Sequence, residues 1–191
     1  MAHIKIADTD HPVLEIFKQR WSPRAFTEEI VSEEKLNKMF EAARWAASSG
    51  NEQPWEYYYA IKGTEGWDKL FVCLDDGNQK WVKNATVLMA CVTNKRFKRN
   101  DKDNPTAEHD LGLANSHLFL QAVAEGFYMH GMAGFYPSKV QEALNLSEDK
   151  KVVCMMAGGY LGHPEMLDEK NEKSETTPRQ RKPLSEFVTQ L

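Results

Sequence analysis

The sequence predicts an α+β fold, in which amphipathic helices pack around a few short and mostly buried strands. Residues 85–93 and 152–157 are nearly continuous apolar runs, which is the pattern of buried strands, and residues 55–61 are rich in the aromatic side chains that strands favour. Segments with apolar residues at helical spacing separate these strands, and the longest covers residues 106–127. With 191 residues, 41% of them hydrophobic, the chain can bury a sizeable core, so we expect residues 1–191 to form a single domain.

The helices are predicted from their start and stop signals. Ser32 has the residue type of an N-cap, and two glutamates follow it in the first turn, where negative charge suits the helix dipole. Gly50 can adopt the left-handed conformation that closes this helix, and Pro54 prevents its continuation. Thr106 is the predicted N-cap of the longest helix, which is apolar on more than one side and is therefore expected to be covered by the core or by a second subunit. Shorter helices are predicted at residues 12–19, 67–74 and 138–144, with an interruption at 77–79 and a polar loop at 95–105 that could form a lid.

Charge and composition exclude several classes of protein. The formal net charge of -4 gives no broad electrostatic reason to expect nucleic-acid binding, and no apolar run is long enough to span a bilayer. The N-terminus lacks the sustained apolar stretch of a signal peptide. Cys73, Cys91 and Cys154 are far apart in apolar stretches, so we expect buried, reduced thiols and a cytoplasmic protein.

Polar residues crowd into one tight connection after the helix that begins at Ser32. Ser48, Ser49, Asn51 and Gln53 offer hydroxyls and amides to a flat, polar-edged ligand. The alternative is a capped turn whose side chains bond only to their own backbone.

Two arginines and a serine follow the first predicted helix. Pro23 disfavours helical geometry at Ser22, so Arg20 and Arg24 are expected on a bent, extended segment. Two guanidinium groups and a hydroxyl suit a phosphate or another anionic group, which arginine binds bidentately. The alternative is surface salt bridges to nearby acidic residues.

The C-terminal half offers further candidate ligand contacts. In residues 128–135, glycines allow close backbone approach to a ligand, while Met and Phe provide an apolar wall.

Residues 163–178 are polar and acidic, and are expected to form an exposed excursion. The cationic residues 179–182 lead into a short amphipathic terminus whose apolar residues are expected to dock on another surface.

Three histidines are candidates for chemical roles. His130 could act as a proton donor, against the commoner alternative of a packed structural histidine. His109 and His117 lie eight residues apart on the longest predicted helix, without a carboxylate or cysteine arranged beside them as further ligands. We therefore predict no metal site.

Together these segments resemble the FMN-dependent nitroreductase family over residues 14–188. No single motif is decisive, but their order and spacing carry the resemblance. The motifs are Arg-x-Ser-x-Arg-x-Phe at 20–26, Ser-Ser-Gly-Asn-x-Gln-Pro-Trp at 48–55, Gly-Asn-Gln-x-Trp at 77–81, His-x-Met-x-Gly-Phe at 130–135, Gly-Tyr-x-Gly at 159–162 and Arg-x-Arg-Lys-Pro-Leu at 179–184.

The resemblance implies a nitroreductase-like fold, with a mainly antiparallel central sheet wrapped by helices, and an intertwined homodimer with two FMN molecules at the dimer interface. It also implies a cofactor-binding role for each matching residue. The phosphate and polar edge of FMN would be held by Arg20, Ser22 and Arg24, with main chain from Trp21, and by the C-terminal pair Arg179 and Arg181. The flavin would be covered by Ser48, Ser49 and Asn51 of the opposite subunit, with Gln53 close to its ring. Asn78 would contact the pyrimidine edge or ribityl chain, and Met132, Ala133 and Gly134 would lie against the ring.

The function implied by the resemblance is that of an oxidoreductase that uses NADH or NADPH to reduce nitroaromatics, quinones or similar flat acceptors by a ping-pong mechanism. Hydride transfer at flavin N5 requires no obligatory catalytic side chain, because solvent can supply protons to many acceptors. Two alternatives stay open. One is a different flavin reaction on the same fold, such as dehalogenation, flavin destruction or substrate dehydrogenation, and the other is a flavin-binding protein with little turnover.

Overall fold

A four-stranded sheet forms the centre of the computed structural model, which describes residues 4–191. The strands are β1 Trp55–Ile61, β2 Val87–Asn94, β3 Tyr128–Met132 and β4 Lys150–Gly159, in the spatial order β1-β2-β4-β3. Every neighbouring pair is antiparallel. The predicted α+β class with an antiparallel central sheet is therefore confirmed. The expectation of no signal peptide rests partly on residues 1–3, which lie outside the described residues.

Seven α-helices surround this sheet in the described part of the chain: α1 Glu15–Gln19, α2 Glu33–Arg44, α3 Glu65–Phe71, α4 Asp76–Val82, α5 Ala107–Ala124, α6 Pro137–Ala143 and α7 Glu169–Thr176. Ser32 caps α2 as predicted, since its side chain accepts a hydrogen bond from the N–H of Lys35. Thr106 occupies the N-cap position of α5 but makes no capping bond there.

The sheet is covered on both faces because β2 is apolar on both. Leu88, Ala90 and Val92 point into one core with residues of α3, α4 and α6, while Met89 and Cys91 point into a second core with residues of α2 and α5. Full burial of a side chain as large as Leu88 or Met89 stabilises the fold by roughly 2 kcal/mol. The unbroken apolar run that predicts β2 therefore reflects two separate cores, one on each side.

Two predictions about the helices were wrong. Helix α2 ends at Arg44 rather than at Gly50, because the N–H of Trp45 turns back to the carbonyl of Ala42 and tightens the last turn. Gly50 does adopt a left-handed φ of 60°, but within a separate 3-10 turn, Ser49–Asn51. Residues 77–79 do not interrupt a pattern but lie inside α4, because the Asp75 carboxylate accepts from the N–H of Asn78 at 2.8 Å and caps that helix.

The C-terminal half also differs from the expectation. Residues 128–132 form the edge strand β3, where the sequence predicted a ligand-facing segment of glycines with an apolar wall of Met and Phe. Residues 163–178 contain a 3-10 turn, Pro164–Met166, and helix α7, whose penultimate residue, Glu175, is buried. The terminal segment, with a 3-10 turn at Leu184–Glu186, leaves Leu184, Phe187 and Val188 exposed in this chain.

Candidate functional site

The segment after α1 presents its charged residues on one side. Along residues 20–25, Arg20, Ser22 and Arg24 are partly exposed, whereas the alternate residues Trp21, Pro23 and Ala25 are buried. This alternation is that of extended backbone, as Pro23 predicted. Backbone hydrogen bonds between this segment and the residues that follow β4 hold it in place, with the carbonyl of Ala25 accepting from the N–H of Gly162 at 2.9 Å.

The C-terminal basic pair, Arg179 and Arg181, lies next to residues 20–24. The Arg179 guanidinium donates to the carbonyls of Lys18 and Arg20, both at 2.6 Å, and so ties the end of the chain to the end of α1. Arg179 Nε is buried without a hydrogen-bond partner among the described residues. Arg181 lines the same cleft.

This cationic cleft has a volume of about 190 Å³. It is lined by Lys5, Arg20, Trp21, Ser22, Arg24, Ser174, Glu175, Arg179 and Arg181. Burial lowers the pKa of Arg20, and the positive charge of Arg181 lowers it further; the pKa of Arg179 is lowered by burial and then by Arg20 and Arg181. Like charges are thus held together in a partly desolvated site, which is an arrangement that favours a multiply charged anion.

Glu175 is a residue of this cleft that sequence reasoning missed. It lay in a stretch expected to be exposed, yet its carboxylate is buried and accepts from the backbone N–H of Arg24 at 3.1 Å and of Ala25 at 3.5 Å. Burial raises the pKa of Glu175. The carboxylate therefore faces the main chain of the arginine segment and fixes its path. No local sequence signal distinguishes Glu175 from its exposed acidic neighbours.

A second cavity, of about 650 Å³, lies next to the cationic cleft and shares Arg24 with it. Asn78 and Trp81 of α4 also line it. The Asn78 side-chain amide donates to the carbonyl of Gly134 at 2.9 Å and accepts from Trp81 Nε1 at 3.1 Å, so both groups of the amide are engaged. A β-carbon at Gly134 would lie 2.2 Å from Asp75 Oδ2, which explains why this position needs glycine.

The three residues predicted to lie against the flavin ring differ in exposure. Met132 belongs to the core, with 4% of its surface exposed, so only its main chain is available to a ligand. Ala133 and Gly134 retain exposed surface.

His130 has the environment of a packed structural histidine. Its Nδ1 lies 2.9 Å from the carbonyl oxygen of Pro23, and its ring centroid lies 4.6 Å from that of Trp81. Burial lowers the pKa of His130 to about 4. The imidazole is therefore neutral near pH 7 and donates through Nδ1 to the backbone, which argues against a role as a proton donor.

The turn at residues 48–53 lines neither cavity within its own chain. Ser48 Oγ accepts from the N–H of Gln53 at 3.0 Å, and Gln53 Nε2 donates to the carbonyl of Asn51 at 3.1 Å, so these two side chains bond locally, as the alternative interpretation had it. The N–H of Ser49 donates to Asp110 of α5 at 3.0 Å. Asn51 and Gln53 both have positive φ, 57° and 52°, a strained backbone of the kind concentrated at functional sites.

The two histidines of α5 have other contacts. His109 pairs with Asp110 at 3.2 Å, and His117 Nδ1 lies 3.3 Å from the carbonyl of Ala42. Within residues 4–191, no group of three or more His, Cys, Asp or Glu side chains is arranged to hold a metal ion. None of the helices in that range is long and apolar enough to cross a membrane.

Comparison with known proteins identifies the family. The sequence profile described as "Nitroreductase family" matches residues 17–71 and 62–160. A solved structure described as "the oxidoreductase containing FMN" is 33% identical and superposes with a TM-score of 0.92, covering 99% of this chain and 96% of that chain. The chain therefore belongs to the nitroreductase family, and the prediction of an oxidoreductase from this family is confirmed.

Two further relatives agree with this assignment. A Desulfovibrio desulfuricans structure described as "a putative nitroreductase in complex with FMN" is 24% identical, with a TM-score of 0.73 and coverage of 96% of this chain and 98% of that chain. A Streptomyces coelicolor protein named "Putative NADH dehydrogenase/NAD(P)H nitroreductase" is 24% identical over 172 residues, which are 80% of this chain and 85% of the relative.

Proposed function

We propose that this chain is an FMN-dependent oxidoreductase that takes electrons from NADH or NADPH and passes them to nitroaromatics, quinones or similar flat acceptors. In this proposal residues 1–191 form one FMN-binding domain, and two chains form a homodimer with the flavin at the interface. The names of the relatives, which include FMN and NAD(P)H, support both cofactors.

The convergence of cations in one cleft is the observation that carries the proposal. Arg20, Arg24, Arg179 and Arg181 line a cleft whose one carboxylate, Glu175, bonds to backbone N–H groups. A phosphate dianion would relieve the repulsion among these arginines and could accept from the buried Arg179 Nε, which is otherwise unpartnered in the described chain. The donor set therefore fits the phosphate of FMN.

Different residues of the cleft would make different contacts with the cofactor. Arg20, Ser22, Arg24 and Arg181 would bind the phosphate and the polar edge of the cofactor, with main chain from Trp21 nearby. Arg179 already donates two hydrogen bonds to carbonyls, so besides reaching the phosphate through Nε it would hold the C-terminal segment against α1.

The adjacent cavity is where we place the flat part of the cofactor and its reaction partners. Arg24 joins this cavity to the phosphate cleft, Asn78 lies on its wall, and Ala133 and Gly134 offer exposed main chain close to Asn78. Met132 would contribute through its main chain. Bound FMN supplies the chemistry, a two-electron transfer from the nicotinamide to the acceptor.

The second subunit would complete the site. Because the turn at residues 48–53 lines neither cavity of its own chain, Ser48, Ser49 and Asn51 of one subunit would cover the cofactor held by the other, with Gln53 close by. The hydrogen bond from Ser49 to Asp110 and the strained backbone at Asn51 would keep this turn in a defined shape.

The reaction we propose is ping-pong, in which the nicotinamide leaves before the acceptor binds in the same place. The protein would contribute positive charge beside the cofactor and apolar surface for flat substrates. His130 is neutral and bonded to the backbone, so protons for the acceptor would come from solvent.

The test is a visible absorption spectrum of the purified protein, followed by anaerobic addition of NADH or NADPH and then of a nitroaromatic or a quinone. We expect a flavin spectrum that bleaches with the nicotinamide and returns with the acceptor. Parallel double-reciprocal plots would support the ping-pong order, and light scattering would give the mass of a dimer. A protein that takes up FMN but resists reduction would be a flavin-binding protein, and one that takes up none would overturn the proposal.

A further inference from the structure

Two of the three cysteines meet across the central sheet. Cys91 of β2 and Cys154 of β4 are direct partners in the antiparallel register, although they are far apart in the sequence. Directly opposed residues of antiparallel strands have Cα atoms about 4.5 to 5.5 Å apart, and disulfides span Cα separations of about 4.4 to 6.8 Å. The two thiols are close enough that each shifts the pKa of the other.

A bulge lies beside this pair. The register shifts between Cys91 and Val92, which pairs with Val152, so that Val153 is an extra residue on β4. A bulge changes the direction of the neighbouring side chains and disrupts the hydrogen bonds between the two strands locally. The backbone next to Cys154 therefore has more freedom than the rest of β4 to adjust when a bond forms between the two sulfurs.

The two thiols differ in surroundings. Cys91 is fully buried, whereas Cys154 is partly exposed. The Asn115 side-chain amide of α5 accepts from the Tyr57 hydroxyl at 2.9 Å and donates to Cys154 Sγ at 3.7 Å. The neighbouring Cys91 thiol and the hydrogen bond from Asn115 lower the pKa of the Cys154 thiol, while burial raises the pKa of the Cys91 thiol.

We propose that Cys91 and Cys154 form a reversible redox pair, which hydrogen peroxide oxidises to a disulfide between β2 and β4. Cys154 is the residue that reacts first, because it is the accessible thiol and the Asn115 amide donates to its sulfur. Cys91 is the residue that resolves the intermediate, because it lies directly opposite. Neither residue takes part in the proposed flavin chemistry, so this inference stands apart from the proposed function.

The reaction balances in two steps. The Cys154 thiolate attacks peroxide, an S–O bond forms, the O–O bond breaks, and hydroxide leaves and takes up the thiol proton to give water. Cys91 sulfur then attacks the Cys154 sulfenic sulfur, the S–S bond forms, the S–O bond breaks, and the departing hydroxide takes the Cys91 proton as a second water. Two thiols are oxidised by two electrons in all, and one peroxide is reduced.

The experiment treats the native, purified protein with one to ten equivalents of hydrogen peroxide, blocks the remaining thiols with N-ethylmaleimide in denaturant, and measures the intact mass. We expect loss of two hydrogens, one blocked thiol instead of three, and a peptide containing Cys91 crosslinked to one containing Cys154. Dithiothreitol should restore three blocked thiols. Non-reducing electrophoresis distinguishes this bridge from one between two chains.

Variants assign the roles of the thiols. Cys73 follows α3 and lies in the other core, so Cys73→Ala is the matched control and should still form the bridge. Cys91→Ala should accumulate a sulfenic acid at Cys154 that dimedone traps, whereas in Cys154→Ala the buried Cys91 should stay reduced. Three intact thiols after peroxide treatment, oxidation at Cys73 ahead of Cys154, or overoxidation of Cys154 with no bridge would each overturn the proposal.

Discussion

Replacing Arg20 by Ala separates phosphate binding from folding. Within residues 4–191, the Arg20 side chain makes one hydrogen bond, a long one of 3.4 Å to the Ser22 hydroxyl, and it lies close to the like charges of Arg179 and Arg181. The hydrogen bond from Arg179 goes to the Arg20 carbonyl, which the substitution retains. Without cofactor, Arg20→Ala should therefore have an unchanged or slightly raised melting temperature.

Arg20→Ala should weaken the binding of FMN. It removes one charge-assisted contact to the phosphate, about 1.5 to 3 kcal/mol, which corresponds to a weakening of FMN binding by roughly 10-fold to 150-fold. An unchanged melting temperature of the apoprotein together with a weaker affinity for FMN is typical of a residue that serves function rather than stability.

The assay combines flavin fluorescence titration of the apoprotein with thermal unfolding of the same sample. Arg179→Ala is the informative contrast, because it also removes the two hydrogen bonds to the carbonyls of Lys18 and Arg20 and should lower the melting temperature of the apoprotein. Arg44→Ala is the matched control, since Arg44 forms an exposed pair with Glu41 away from both cavities.

Binding of FMN by Arg20→Ala within twofold of the wild type would contradict the role of Arg20 at the phosphate. A melting temperature of Arg20→Ala well below that of the wild type without FMN would contradict it too, because the loss of binding would then follow from unfolding rather than from a missing phosphate contact.

Three further predictions concern stability. The pKa of His130 is about 4 in the folded protein and ordinarily 6.5, so the unfolded chain takes up a proton at this residue before the folded protein does, and stability falls as the pH drops from 6.5 toward 4. Between pH 7 and pH 4.5, this difference should lower the free energy of unfolding by on the order of 2 to 3 kcal/mol. His130→Gln should remove this part of the pH dependence in urea titrations. Gly134→Ala should destabilise by about 2 kcal/mol or more, because its β-carbon would meet the Asp75 carboxylate that caps α4. Glu175→Ala should cost about 2 to 4 kcal/mol by leaving buried N–H groups unpaired, and Glu175→Gln should restore only part of the loss, because its single oxygen can accept from the N–H of Arg24 while its NH2 group cannot accept from the N–H of Ala25.

Each of these has a result that would contradict it. Identical pH slopes in wild type and His130→Gln would mean that the imidazole is not desolvated. Gly77→Ala, where the added carbon meets its nearest atom at an ordinary 3.5 Å, is the control for Gly134→Ala, and equal melting temperatures for the two would exclude the predicted clash. If Glu175→Gln is as unstable as Glu175→Ala, the charge of Glu175 matters rather than its oxygen acceptors.

The sequence alone was sufficient for the main elements of the fold. Strands β1, β2 and β4, and helices α2 and α5, were predicted at or near their observed positions, because apolar periodicity and N-cap residues such as Ser32 are local properties of the chain. The motif at residues 20–26 likewise predicted an extended, cationic segment, since Pro23 restricts its own neighbourhood. Family membership followed from the order of such short motifs.

The contacts that complete the site were decided only by the tertiary structure. Glu175 reaches the arginine segment from about 150 positions away, Arg179 is bound to carbonyls beside α1, and Cys91 meets Cys154 through strand register. Edge strand β3 depends in the same way on its partner β4. Composition and periodicity report how exposed a residue is and on which face it lies, but which distant residue it meets depends on how strands pair and helices pack, and a short stretch of sequence does not contain that information.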